Sequence, residues 1–219
     1  MPRLASLFAL VLAVAGCGLL TETDPPPAPV RDSARYLVTF ESTWSAQTHP
    51  EAFPTDAHFS RLTGAVHAPG VSFWEVGLIA SEGIRAMAEG GATAPLRAEV
   101  EAYGARADFV EGNPIPTSPG TASVEVSVSE ERPLVTVVTM LAPSPDWFVG
   151  VSGLDLRRGD ADWADVIFYD LQVQDAGTDD GASYTAADAP RAVWAPIGPV
   201  AYPPLGATTV GRITFTRVE

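Results

Sequence analysis

The sequence predicts an antiparallel β-sandwich carrying two short helices. Three observations carry that prediction. Short apolar or alternating runs recur along the chain, chief among them 122–129, 134–141 and 209–218. Turn formers stand between the runs, within totals of 19 glycines and 20 prolines. Proline cannot donate to a ladder and glycine accepts left-handed backbone, so both mark where strands stop. Helical spacing shows in two stretches, and both are short.

The elements follow in order. Residues 35–44 alternate in part, as a half-buried first strand does. A long loop with Pro50 and Pro54 comes next, and 58–67 is expected to be a turn against the core. His49, His58 and His67 stand nine residues apart. Transition-metal sites use tighter ligand pairs, so these histidines read as structural or exposed. The stretch 72–77, with Phe73 and Trp74, reads as a short strand or edge. Residues 81–89 are helix-like and Gly90-Gly91 stops them. A second helix over 95–103 has Pro95 at its start and places Leu96, Val100 and Tyr103 on one face. After a proline-rich loop, 122–129 alternates strictly through Val124, Val126 and Val128. Glu130-Glu131-Arg132-Pro133 is expected to fold it back as a hairpin onto 134–141. Further strands are expected at 148–156, 166–173 and 209–218, the last through Val210, Ile213, Phe215 and Val218.

The N-terminus reads as an address. Arg3 precedes an apolar stretch, 4–16, too short to span a bilayer but of signal-peptide length. It ends Leu12-Ala13-Val14-Ala15-Gly16-Cys17, which resembles the bacterial lipobox: small residues fit the signal peptidase and Cys17 takes the lipid. The expected organisation is a signal peptide over 1–16, an acylated Cys17 with a proline-rich tether over 17–33, and one domain over 34–219. Each buried acyl methylene adds about 0.8 kcal/mol of membrane affinity. Gly18 in place of Asp points to the outer membrane, with the domain periplasmic or surface-exposed. Cys17 is the one cysteine, so the exported domain is expected to hold together without a disulfide.

Formal net charge is −14, and all thirteen basic residues are arginines. That balance excludes a nucleic-acid partner, whose phosphates need a basic surface. It suits a divalent cation or basic partners. Two acidic stretches stand out. Ala142-Pro143-Ser144-Pro145-Asp146-Trp147-Phe148-Val149-Gly150 presents Asp146 at a stiff corner after the most apolar strand. Asp175-Ala176-Gly177-Thr178-Asp179-Asp180-Gly181 closes another apolar run. Calcium takes six to eight oxygen ligands, often aspartates with backbone carbonyls and water. Asp-Gly loops are also ordinary turn and Asx-cap chemistry, and from residue types alone both readings stand.

These motifs resemble the spondin N-terminal domain family, found in F-spondin, mindin and bacterial lipoproteins. The resemblance is carried by Trp44 with Thr48-His49-Pro50, His58-Phe59-Ser60, Gly64-Ala65 with His67, Ala80-Ser81-Glu82-Gly83, Ala88-Glu89-Gly90-Gly91 and, above all, the two acidic stretches. It implies an eight-stranded antiparallel sandwich with Ca2+ at one end, held by Asp146, Asp175 and Asp179. Animal members sit beside thrombospondin-type repeats or a reelin-like domain; this sequence shows neither, so their matrix and receptor roles are not carried over. Arg158-Gly159-Asp160 spells an integrin-read tripeptide, but so short a motif is weak and reads as a turn.

Catalysis finds little support. Ser152, in Val151-Ser152-Gly153, lacks a nucleophile elbow. There is no His-Glu-x-x-His helix and no phosphate-cradling glycine loop. Paired aspartates serve glycosidases, but aspartates filled by calcium leave no base free. The expected function is therefore a calcium-binding, lipid-anchored cell-envelope module for recognition or adhesion, not an enzyme. Its partners would be the membrane through Cys17 and a protein or glycan surface ligand. The alternative is a structural envelope lipoprotein in which calcium only stabilises the fold; a glycan-active hydrolase is the third reading.

Overall fold

The computed structural model describes residues 33–159, 162–206 and 209–218. The expected signal peptide, Cys17, nearly all of the tether and Asp160 lie outside the described residues. The strands are β1 Ser33–Ser42, β2 His58–Phe59, β3 Thr63–His67, β4 Ala107–Glu111, β5 Gly120–Ser129, β6 Leu134–Ala142, β7 Trp147–Asp155, β8 Val166–Leu171, β9 Gln174–Asp175, β10 Gly198–Pro199 and β11 Gly211–Arg217. Helices α1 Glu82–Gly90 and α2 Ala94–Glu101 lie between β3 and β4. Eight of the strands described have five residues or more, and β2, β9 and β10 have two each.

One sheet runs β5-β1-β11-β8 and the other β10-β9-β7-β6-β3-β4, with β2 also on β6. Every pairing is antiparallel. Tyr36, Val38 and Phe40 of β1, Val126 and Val128 of β5, and Ile213 and Phe215 of β11 meet Val135, Val137 and Leu141 of β6 in the core between the sheets. A second core lies between the larger sheet and the helices: Ile84 and Met87 of α1, with Leu96 and Val100 of α2, pack on Val138, Met140 and Phe148. Strand β6 is thus buried on both faces. That is why it reads as a continuous apolar run, whereas half-exposed β1 alternates.

The structure corrects three expectations. Residues 130–133 do not close a hairpin, because β5 pairs with β1 in one sheet and β6 with β7 and β3 in the other. Val126 and Val128 bury themselves by facing Val135 and Val137 across the core rather than lying beside them. Residues 72–77 form no strand; Phe73 and Trp74 instead plug the helix-side core, with Trp74 edge-on to Phe148 at 5.0 Å. The stretch 58–67 is not a simple turn but supplies β2 and the fully buried β3.

Both helices stand close to their expected places. Ser81 caps α1 by accepting from Ile84 N–H at 3.2 Å, and left-handed Gly91 closes it. Glu99 of α2 reaches across, accepting from Gly83 N–H at 2.6 Å and Ser81 Oγ at 2.7 Å. Ser81→Ala removes the cap on Ile84 and the bond to Glu99 while leaving the Gly83–Glu99 bond, and is expected to cost about 1 kcal/mol in urea unfolding.

His67 is a buried core histidine, which agrees with the structural reading. The Ala68 carbonyl, 3.2 Å from Nδ1, can only accept, so Nδ1 donates and Nε2 accepts from Thr136 Oγ1 at 2.9 Å. Burial holds this ring below its usual 6.5. The unfolded ring therefore takes its proton first as pH falls. Stability linked to His67 is whole above about 6.5 and is lost as pH drops through the lowered folded value. The urea midpoint is expected to fall between about pH 7.5 and about pH 5, and to fall less in His67→Gln.

Candidate metal centre

The site is built where β6 turns into β7. The 142–143 peptide is cis. Ser144 Oγ donates to the Leu141 carbonyl and accepts from Trp147 N–H at 3.1 Å, fixing the corner that carries Asp146. Asp146 is 0% exposed. The chain reaches it again from the other sheet: β8 ends at Leu171, and after two intervening residues β9 pairs with β7, setting Asp175 opposite Trp147. Ala176 N–H then donates to the Asp146 carbonyl at 3.0 Å.

The loop over 175–181 is tied from both sides. Asp175 Oδ1 accepts from Gly177 N–H at 2.8 Å, and Asp179 Oδ1 accepts from Gly181 N–H at 2.6 Å. Asp179 Oδ2 accepts from Ala189 N–H at 2.7 Å, and the Gly177 carbonyl accepts from Ala195 N–H at 2.8 Å. Gly177 holds a φ of +75°, and a Cβ there would stand 2.2 Å from the Ala195 carbonyl oxygen. Only glycine meets both demands.

Asp146 itself is held through one oxygen. Its Oδ2 accepts from Thr178 N–H at 2.7 Å, Thr178 Oγ1 at 3.2 Å and Asp179 N–H at 3.1 Å. Its Oδ1 is buried with no hydrogen-bond partner. Burial pushes the Asp146 carboxyl above its usual range against the bonds from Thr178 and Asp179, and the charge of Asp175 adds to the rise. Asp175 is pushed up as well, by burial first, with the Asp179 charge adding to it while Arg191 opposes.

The three predicted aspartates therefore belong to one electrostatic unit. Asp175 and Asp179 do make the Asx-type turns that composition allowed. Those turns leave Asp146 Oδ1 unspent, in a place where an unpaired carboxylate oxygen is costly. Among the described residues, no group of three or more His, Cys, Asp or Glu side chains is arranged as a metal cage. The donors present are oxygens alone, and calcium fills its shell partly with carbonyls and water. The orphaned oxygen and this donor chemistry fit a hard cation.

Sequence reading missed Thr178, which holds Asp146 through both its N–H and its hydroxyl. The signal was a hydroxyl residue set directly before the second loop aspartate. The returning segment that carries Ala189 and Ala195 had no signal. The histidines stay apart: His58 Nδ1 lies 2.6 Å from the Asp56 carbonyl and His49 Nδ1 2.9 Å from Thr48 Oγ1. Ser152 Oγ donates to the Trp74 carbonyl. Arg158 and Gly159 sit on an exposed turn.

Fold and site define a β-sandwich with an acidic, tightly laced loop cluster at one end. The family model Spondin_N matches residues 34–201, and the chain belongs to the spondin N-terminal domain family. It is 35% identical to Spondin-2 of Homo sapiens over 188 residues, covering 83% of this chain and 56% of that protein. It is 33% identical to Spondin-1 of Gallus gallus over 206 residues, covering 85% of this chain and 26% of that protein. Against Spondin-2 of Rattus norvegicus the identity is 35% over 187 residues, 82% of this chain and 56% of that protein. The chain thus matches little more than half of Spondin-2 and about a quarter of Spondin-1.

Proposed function

We propose that this chain is a calcium-binding recognition module of the bacterial cell envelope, tethered by an acylated Cys17. The observation that carries the calcium assignment is the buried, unpartnered Oδ1 of Asp146. Asp146, Asp175 and Asp179 would hold the ion. The ion would neutralise their clustered charge and tie the β6–β7 corner to the loop over 175–181. Membership of the spondin N-terminal domain family supports recognition or adhesion rather than catalysis. Ser152, already bonded to the Trp74 carbonyl, does not stand as a free nucleophile. The ligand would be a protein or glycan surface and not a nucleic acid. Among the described residues no helix is long and apolar enough to cross a membrane, and attachment in this reading rests on Cys17.

Calorimetric titration of the full chain with calcium tests the site: one binding event is expected, lost in Asp146→Ala and in Asp179→Ala. Absence of heat in the unmodified chain sinks the calcium assignment and leaves the loops as turns. Palmitate labelling in a bacterial host, lost in Cys17→Ala, tests the anchor. The full burial of Asp146 also favours a second reading, in which the ion only stabilises the fold. Capture from envelope extracts decides between them. A specific partner retained in calcium and released by chelator supports recognition; none retained supports the structural role.

A further inference from the structure

Strand β8 closes one side of the smaller sheet, and among the described residues no strand pairs with its outer edge. The direction of its backbone groups follows from the register. Arg217 N–H donates to the Asp165 carbonyl at 2.8 Å, one step before β8 begins. Hydrogen-bonded pairs alternate in an antiparallel ladder, so Ile167, Tyr169 and Leu171 turn their N–H and C=O groups toward β11. Val166, Phe168 and Asp170 turn theirs outward. The β1 side agrees: Val218 N–H donates to the Arg35 carbonyl at 2.8 Å, so even-numbered residues of β11 serve β1 and odd-numbered ones serve β8.

The side chains of this edge are apolar and open. Val166 is 55% exposed, Phe168 54% and Tyr169 45%, with the Arg212 guanidinium lying over the Phe168 ring at 4.3 Å. The opposite edge of the same sheet, β5, shows solvent Thr121, Ser123, Glu125 and Ser127. Edge strands are usually guarded by lysine, proline, a bulge or a cover. Charged side chains are such guards too; β8 carries one, Asp170 near its end, but no proline, and its register with β11 is unbroken. Open N–H and C=O groups in extended spacing are complementary to another extended backbone. Charge selects its sign. Exposed Asp162, Asp165 and Asp170 flank the edge and share two arginines, Arg217 and Arg212. A second copy would bring the same aspartates and the same net charge of −14.

We propose that the outer edge of β8 is a docking edge for an extended basic segment of another protein, added as a strand with alternate apolar side chains over Phe168 and arginine or lysine against the flanking aspartates. The edge belongs to the sheet that lacks Asp146, so this proposal stands or falls apart from the calcium site.

The probe is a labelled synthetic peptide with the sequence of residues 211–217, Gly-Arg-Ile-Thr-Phe-Thr-Arg, the strand that β8 already accepts on its inner side. It is titrated into the full chain in calcium and followed by anisotropy and amide exchange. Saturable binding is expected, with the amides of Val166, Phe168 and Asp170 slowed and those of Ile167 and Tyr169 unchanged. Phe168→Pro removes an outward N–H without touching the β11 ladder, and is expected to weaken binding by on the order of ten-fold or more. Amide exchange on the unsubstituted chain keeps the test valid if that variant folds poorly. Four outcomes overturn the proposal: no binding, protection elsewhere on the chain, equal binding of a peptide with glutamate for both arginines, or sedimentation as a dimer that already protects these three amides.

Discussion

With calcium about a thousand-fold above its dissociation constant, the chain is expected to gain about 4 kcal/mol of stability over the same chain in chelator. The physical cause is the buried Asp146 carboxylate. One oxygen is satisfied three times over by Thr178 and Asp179, while the other meets no partner among protein groups. Without an ion, folding must bury that charge beside Asp175, and both carboxyls are pushed upward. Asp146→Asn separates the two effects. The amide removes the charge but can still accept from Thr178. It is therefore expected to abolish the calcium-dependent rise in melting temperature, yet to melt no lower than the unsubstituted chain when both are in chelator. A variant that melts lower in chelator and still responds to calcium would show that Asp146 is a turn acceptor and nothing more.

The second large effect is expected at Trp147. Its ring is buried against Tyr184 at 5.6 Å and Tyr202 at 5.3 Å. Its backbone stands opposite Asp175, one residue from Asp146. Trp147→Ala removes a large buried aromatic, and such truncations cost about 3–5 kcal/mol. Loss of stability alone would not distinguish this residue from any other core aromatic. Phe215→Ala supplies the comparison: Phe215 is equally buried, on β11 in the opposite sheet. Both variants are expected to unfold at clearly lower urea. Only Trp147→Ala is expected to weaken calcium binding as well, because the lost ring, packed on Tyr184 and Tyr202, supports the corner one residue from Asp146. Equal calcium affinity in the two variants would mean that the site is positioned by the loop bonds alone.

The sequence by itself determined the class of fold and most of its elements. Strands β1, β6 and β11 and both helices were legible because local physics fixes them: period-two alternation, a continuous apolar run, and the Gly90-Gly91 stop act within a few residues. The acidic corner and the acidic loop were legible too, because proline, glycine and aspartate mark turns whatever surrounds them. Only the tertiary structure decided which strands pair. Alternation states that Val126 and Val128 are buried, but not whether Val135 and Val137 lie beside them or across a core. Phe73 and Trp74 looked like strand residues because aromatic content does not separate a ladder from a plug. The tertiary structure also decided what Asp146 meets. Its partners, Thr178 and Asp179, lie more than thirty residues on and arrive only because the chain changes sheets between β8 and β9. The same topology left β8 at an edge, and no local pattern can state which strand of a sheet will have no neighbour.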